Sequence, residues 1–197
     1  MAAATLGLAP VARADDEAPD AMIKRLSAEV MTALKSDQAV KGGDISKIMV
    51  LVDGKIMPNV DFRRMTASAV GPAWRQSTPE QQKRLQDEFK TLLVRTYSGA
   101  LEQVNDQVIT VKPLRAEPTD KEVVVRSEVR GRGDPIQLDY RMEKTPAGWK
   151  IYNLNVLGVW LVETYRSQFA QEINAKGVDG LIATLAERNR SNAARKG

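Results

Sequence analysis

The 197-residue chain is 43% hydrophobic and 27% charged, carries a net charge of +4, and contains neither histidine nor cysteine. Its length suits one domain with a sizeable core. The two missing residue types exclude a disulfide framework, a thiolate nucleophile, a Cys/His metal site and the usual general base near neutral pH. The basic excess is local, because Arg188, Arg190, Arg195 and Lys196 crowd the C-terminus without an acid and the chain before them is close to neutral. No patterned nucleic-acid face follows from that distribution.

Residues 1–14 are apolar and alanine-rich and close on Ala12-Arg13-Ala14, as a signal peptide does before its cleavage site. They are expected to be a signal-peptide remnant without its cationic front, which makes the chain exported. No later apolar run approaches the ~18 residues of a membrane span.

Residues 15–102 read as helical. Ile23, Leu26, Val30 and Leu34 recur at helical spacing up to Gly42-Gly43. Asp44 caps a second segment carrying Ile45, Ile48, Met49, Val52 and Ile56, which Pro58 closes. Asp61 caps a third with Phe62, Met65 and Val70, broken by Gly71-Pro72. The longest follows Thr78-Pro79 with Gln81 completing a capping box, and its stripe is Leu85, Phe89, Leu92, Leu93, Tyr97 and Leu101. Arg84 and Glu88, four apart on its other side, are expected to pair.

After Gln103 the period falls to two, and four strands are expected, beginning VITV, EVVV, PIQL and GWKI. Pro118–Asp120, Gly131–Pro135 and Thr145–Gly148 supply turns, so the strands form an antiparallel meander over 103–158. Ile136, Leu138, Tyr140 and Met142 belong to its covered face, as do Val123, Val125 and Val129; Asp139, Arg141 and Glu143 belong to its wet face. The Arg132-Gly133-Asp134 tripeptide is turn chemistry. Two helices are expected over 159–190, with Leu161, Tyr165, Phe169 and Ile173 before Gly177 and Val178, Leu181, Ile182 and Leu185 after it. Residues 191–197 are expected to be a disordered basic tail. The sum is an α+β protein, a twisted antiparallel sheet of about four strands packed with an N-terminal helical subdomain and two C-terminal helices.

The strand at Trp149 and Ile151 switches parity at Asn153, beyond which both side-chain directions are apolar. That end is expected to be covered on both faces, with Trp160, Leu161 and Val162 starting the next helix. Two readings fit: the run plugs the core, or it helps wall a cavity for an apolar ligand. No nucleophile elbow, P-loop or dinucleotide fingerprint is present. A lone Asp beside Tyr97, Tyr140 or Tyr165 in a cone-shaped pocket is the chemistry left for an enzyme.

Two blocks, VDFRRMTASAVGPAWRQSTPEQQKRLQDEFKTLLVRTYSGAL from Val60 and GVWLVETYRSQFAQEINAKGVDGLIATL from Gly158, resemble the MlaC family of periplasmic phospholipid-binding, toluene-tolerance proteins. The matching features are Val60-Asp61-Phe62 with Met65, Trp74 ahead of Ser77-Thr78-Pro79, Leu93 with Thr96-Tyr97, Gly158-Val159, and Tyr165-Arg166-Ser167 with Phe169. The resemblance implies a sheet of the nuclear-transport-factor-like cone type with acyl chains held between sheet and helices. It implies no enzyme and no cofactor, with a diacyl phospholipid as cargo. The implied carrier is monomeric and periplasmic, working between an outer-membrane lipoprotein–porin complex and the MCE-domain subunit of an inner-membrane ABC transporter, and so maintaining outer-membrane lipid asymmetry. Lining is then expected from Val125, Leu138, Tyr140, Trp149 and Ile151 of the sheet. Facing helices add Met49, Val52, Phe62, Met65, Leu93, Tyr97 and Leu101, and Leu157, Val159, Tyr165 and Phe169 close one end. Arg95, Arg126 and Arg141 are exposed candidates for acidic partners. The alternatives are an enzyme on the same cone for a small apolar substrate, and a protein-only periplasmic chaperone or adaptor.

Overall fold

The computed structural model describes residues 17–102, 107–117, 119–131 and 134–194. Helix α1 spans Pro19–Ser36 and buries Met22, Ile23, Leu26 and Leu34 at the spacing expected of one face. A short α2 (Gln38–Lys41) follows, unforeseen in the sequence and capped by Asp37, whose side chain accepts from the backbone N–H groups of Ala39 and Val40. Asp44 caps α3 (Ile45–Leu51) in the same way through Ser46 and Lys47. The expected helix does not run unbroken to Pro58: it widens into a π-turn at Val52–Ile56 and tightens into a 3₁₀ turn at Met57–Asn59. Pro58 has no N–H to continue the ladder, and the turn before it absorbs the mismatch.

Helix α4 covers Phe62–Val70, capped by Asp61, which accepts from Arg64 N at 2.8 Å. Gly71 stops it at φ +73° and ψ −146°, a region open to glycine alone, and a 3₁₀ segment Gly71–Gln76 leads onward. Helix α5 (Pro79–Glu102) starts with the expected reciprocal cap: Gln81 N donates to Thr78 Oγ1 at 3.2 Å, and Thr78 N donates to Gln81 Oε1 at 3.0 Å. Arg84 and Glu88 do not pair, because Glu88 receives the Asn189 amide at 2.7 Å instead.

The sheet has five strands in sequential antiparallel order: β1 (Val108–Val111), β2 (Glu122–Arg130), β3 (Ile136–Thr145), β4 (Gly148–Val156) and β5 (Val159–Trp160). The fifth is the departure from expectation. Val159 and Trp160 do not begin a helix; the chain reverses at Leu157-Gly158, both at positive φ, and pairs back on Val156 and Asn155. Helix α6 then runs Leu161–Ala194, kinked at Gly177 (φ 70°, ψ −175°) into the two expected segments. It carries helix through Ser191–Ala194, which the sequence reading had placed in a disordered tail. The expected signal remnant, residues 1–14, lies outside the described residues, as do Arg132 and Gly133.

Two main cores hold the layers. The helical one centres on Phe89, whose ring meets Phe62, Tyr165 and Phe169 at centroid distances of 5.7, 5.0 and 5.2 Å. Such pairs add roughly 0.5–1.5 kcal/mol each beyond area burial. The other packs α1 on the sheet through Met22, Ile23, Leu26, Val123, Val125, Met142 and Ile151. A third, small cluster joins Leu34, Val40 and Ile48.

Candidate functional site

Pairing register assigns the sheet's apolar face row by row. Across the strands run Ile109–Val129–Ile136, then Val111–Ser127–Leu138–Val156–Val159, then Val125–Tyr140–Leu154, then Val123–Met142–Ile151. Exposure falls along β3 in that order, from 40% at Ile136 through half-buried Leu138 and Tyr140 to 0% at Met142. The face is sealed at one end and open at the other.

The helices explain the gradient. Helix α1 lies on β1 and β2, and α4 and α6 approach β4. Among the described residues no helix makes a comparable approach to β3, and α5 packs on other helices rather than on a strand. Leu138 and Tyr140 are thus half-buried in an apolar strip between the elements that close on β1–β2 and on β4. Its sides are the two main cores: Leu154 and Val156 pack against the helical one, Tyr140 and Trp149 against the α1–sheet one.

The parity switch foreseen at Asn153 is a β-bulge. Met142 pairs with Ile151 and Arg141 with Asn153, so Tyr152 is the extra residue on β4. The bulge keeps Trp149 and Ile151 on the same face as Leu154 and Val156, and it turns Tyr152 and Asn153 to the other face. There Asn153 is fully satisfied, donating to Glu163 Oε2 at 2.7 Å and accepting from the backbone of Leu154 and Val162. It caps the start of α6 from the sheet. Burial works against charge on Glu163, but hydrogen bonds from Asn153, Arg141 and its own backbone outweigh it and hold the carboxyl below its ordinary value.

The face expected to be wet is occupied beside the bulge. Arg64 reaches from α4 to Glu122 at 2.7 Å and to Glu143, its guanidinium 3.6 Å over the Tyr152 ring. Arg141 pairs with Glu163 and lies 4.0 Å over Trp160. Helices α4 and α6 meet at the edge of β4, and their first turns bring these partners round it. Arg141 is therefore committed rather than free, and Arg95 is half-buried with its Nε enclosed; Arg126 is exposed as expected.

The remaining sequence candidates separate into groups. Phe62, Met65, Tyr165 and Phe169 are buried in the helical core, with Leu93 against it. Val52 packs on the third cluster and Met49 is half-buried on α3. Tyr97 is 37% exposed on α5. Leu101 lies in α5 with its side chain outside the described residues. The expectation that both faces are covered at the end of β4 fails, since Leu157 is 64% and Val159 51% exposed. The tight reversal at Gly158 puts Leu157 on a turn tip, not on a strand face.

Burial pushes the phenols of Tyr97, Tyr140 and Tyr165 up, and Ser127 partly offsets this at Tyr140 by a hydrogen bond to its hydroxyl. All three stay neutral donors. Asp139, the neighbouring acid, stands on the opposite face from Tyr140. The sequence marks the cluster of Arg64, Tyr152 and Asn153 only by the apolar–polar phase break at Tyr152-Asn153 and gives no sign of the part played by Arg64. A separate open cleft of about 640 Å³ lies behind α4 and holds none of the apolar candidates.

The MlaC protein family profile matches residues 24–187. Among solved structures, the chain is similar to the phospholipid-binding protein from Ralstonia solanacearum, determined in complex with a phospholipid. The TM-score is 0.85 and the identity 48%, over 88% of this chain and 98% of that one. The toluene tolerance protein ttg2D of Pseudomonas putida is 26% identical over 83% of this chain and 76% of its own length. The intermembrane phospholipid transport system binding protein MlaC of Haemophilus influenzae is 19% identical over 87% and 82%.

Proposed function

This chain belongs to the MlaC family, and from that premise we propose that it is a soluble periplasmic phospholipid carrier. One observation carries the reading: the apolar face of β3 lies between the two main cores, is sealed at Met142 and opens at Ile136. The similarity to a Ralstonia protein determined with a phospholipid supports the same ligand class. Acyl chains are proposed to lie along Leu138, Tyr140, Leu154 and Val156 beneath Leu93, Tyr97 and Val52, with the headgroup at the Ile136 end.

The physics suits a carrier. A diacyl lipid has on the order of 30 methylenes at about 0.8 kcal/mol each, so roughly 24 kcal/mol opposes its free passage through water. An apolar recess offsets most of that and leaves transfer from bilayer to protein close to neutral. Direction then belongs to the partners, proposed as an outer-membrane lipoprotein–porin complex and the MCE-domain subunit of an inner-membrane ABC transporter. The outcome is maintained outer-membrane lipid asymmetry. Residues 1–14 are proposed to export the chain, which works as a monomer with lipid as cargo and no catalysis.

Native mass spectrometry of protein purified without detergent, followed by organic extraction, tests the reading. A stoichiometric diacyl phospholipid is expected. Protein that is empty and takes no lipid from liposomes overturns it.

A further inference from the structure

We infer that the cleft behind α4 is a docking site for an acidic segment of a protein partner; the inference rests on the carrier reading, which supplies the need to dock. The cleft is walled by Arg64 and Ser68 of α4, Pro72, Trp74 and Arg75 of the 3₁₀ segment, and Arg166 of α6. No carboxylate lines it. Arg64 is neutralised by Glu122 and Glu143, so it contributes a fixed wall rather than a free charge. Arg75 and Arg166 are exposed and, among the described residues, make no hydrogen bond or ion pair.

Acids within reach are already engaged. Glu122 and Glu143 hold Arg64, and Glu163, one turn before Arg166, holds Arg141. Two guanidinium groups without an ion-pair partner among the described residues thus line the cleft beside Pro72 and Ala67, while Trp74, which also lines it, is 7% exposed and belongs to the helical core. Guanidinium forks match carboxylates bidentately, and the apolar surface of Pro72 and Ala67 suits a peptide that alternates acidic and apolar side chains. The volume lies within the usual range for a ligand site. A lipid headgroup is disfavoured by position: the cleft shares no residue with the Ile136 end of β3, where the headgroup is proposed to lie. Cargo and partner therefore bind without competing, as a carrier that docks while loaded requires.

The test uses the full chain and a fluorescein-labelled peptide of alternating Glu and Leu, read by fluorescence anisotropy. Arg75→Glu/Arg166→Glu is compared with Arg188→Glu/Arg190→Glu, which changes net charge equally elsewhere. Lipid content of every variant is measured in parallel by native mass spectrometry. The cleft variant is expected to weaken peptide binding by at least about tenfold, the control by less than about twofold, with lipid content unchanged in both. Arg75→Lys/Arg166→Lys, which keeps charge and loses the fork, is expected to fall between. Equal weakening by both reversals, or by neither, overturns the docking site. So does binding to phosphatidylglycerol-containing vesicles that depends on Arg75 and Arg166 while the peptide does not bind. Loss of the carrier reading appears separately, as wild-type protein without lipid whatever the peptide does.

Discussion

Replacing Leu138 by Asp separates a lined cavity from a packed core. Leu138 is half-buried in the middle of β3 and belongs to none of the three clusters. In lipid-free protein the introduced carboxylate stays hydrated through the open end, so folding loses about 1 kcal/mol of apolar burial. When acyl chains cover it, the carboxylate must shed its water or take up a proton. A rise of ~3 pKa units for a carboxyl closed into apolar surroundings corresponds to about 4 kcal/mol, or roughly a thousandfold loss of lipid affinity at pH 7. Between the two values the group is ionised in the lipid-free protein and neutral in the loaded one, so the penalty grows with pH, is full above the raised pKa and disappears as pH falls below ~4. Lipid-to-protein ratio by native mass spectrometry, liposome uptake at pH 7 and pH 4, and a thermal melt make the assay. Gln137→Asp, on the opposite face of the same strand, is expected to change none of these. Met142→Asp, at 0% exposure, is expected to prevent folding. A folded Leu138→Asp protein fully loaded at pH 7 would refute the reasoning.

Arg64→Met leaves Glu122 and Glu143, register partners on adjacent strands, without the guanidinium that bridges them, Lys150 being the register partner of Glu143 on the other side. The expected cost is about 1–2 kcal/mol in urea unfolding, shrinking in ~1 M salt as the repulsion is screened. Glu163→Gln removes a half-exposed carboxylate whose pKa is depressed by its hydrogen bonds. At most about 1 kcal/mol is lost at pH 7 after solvent screening. That contribution is present above the unfolded carboxyl range and lost as pH falls through the lower folded value, so melting curves of variant and wild type converge in acid. Gly177→Ala meets no atom within 4 Å, yet φ 70° with ψ −175° strains any side chain. A loss of ~1–3 kcal/mol is expected from conformation alone, and an unchanged melt would argue that the kink relaxes.

Local elements were legible where the signal was local. Thr78 and Gln81 three residues apart, Asp44 and Asp61 before their helices, and the turn at Thr145–Gly148 each act on backbone groups a few positions away, and the structure places them as read. The meander and its apolar face followed from a period of two. What escaped was decided at a distance. Asp37 was passed over as a cap because a four-residue helix has no period to read. The π-turn at Val52–Ile56 needed Pro58 and the packing around it. Glu88 was matched with Arg84, four residues away, while its partner Asn189 arrives on a helix at the other end of the chain.

The candidate site divides along the same line. Residue order alone requires a sheet with one apolar face and amphipathic helices, because side-chain period and turn chemistry are properties of neighbours. It also determined the phase break beside Asn153, without saying what the break was for. That the break is a bulge at Tyr152, that Leu157 tips a turn, and that Arg64 and Glu163 fasten the edge of β4 came from long-range contacts. The same contacts separate apolar side chains buried in a core from those left half-buried outside it. Phe169 and Leu138 look alike as letters. Helices α4, α5 and α6 bury Phe169 among aromatic rings, whereas Leu138 stays half-buried outside every core cluster, and coverage by distant elements is not written in any residue's own neighbourhood.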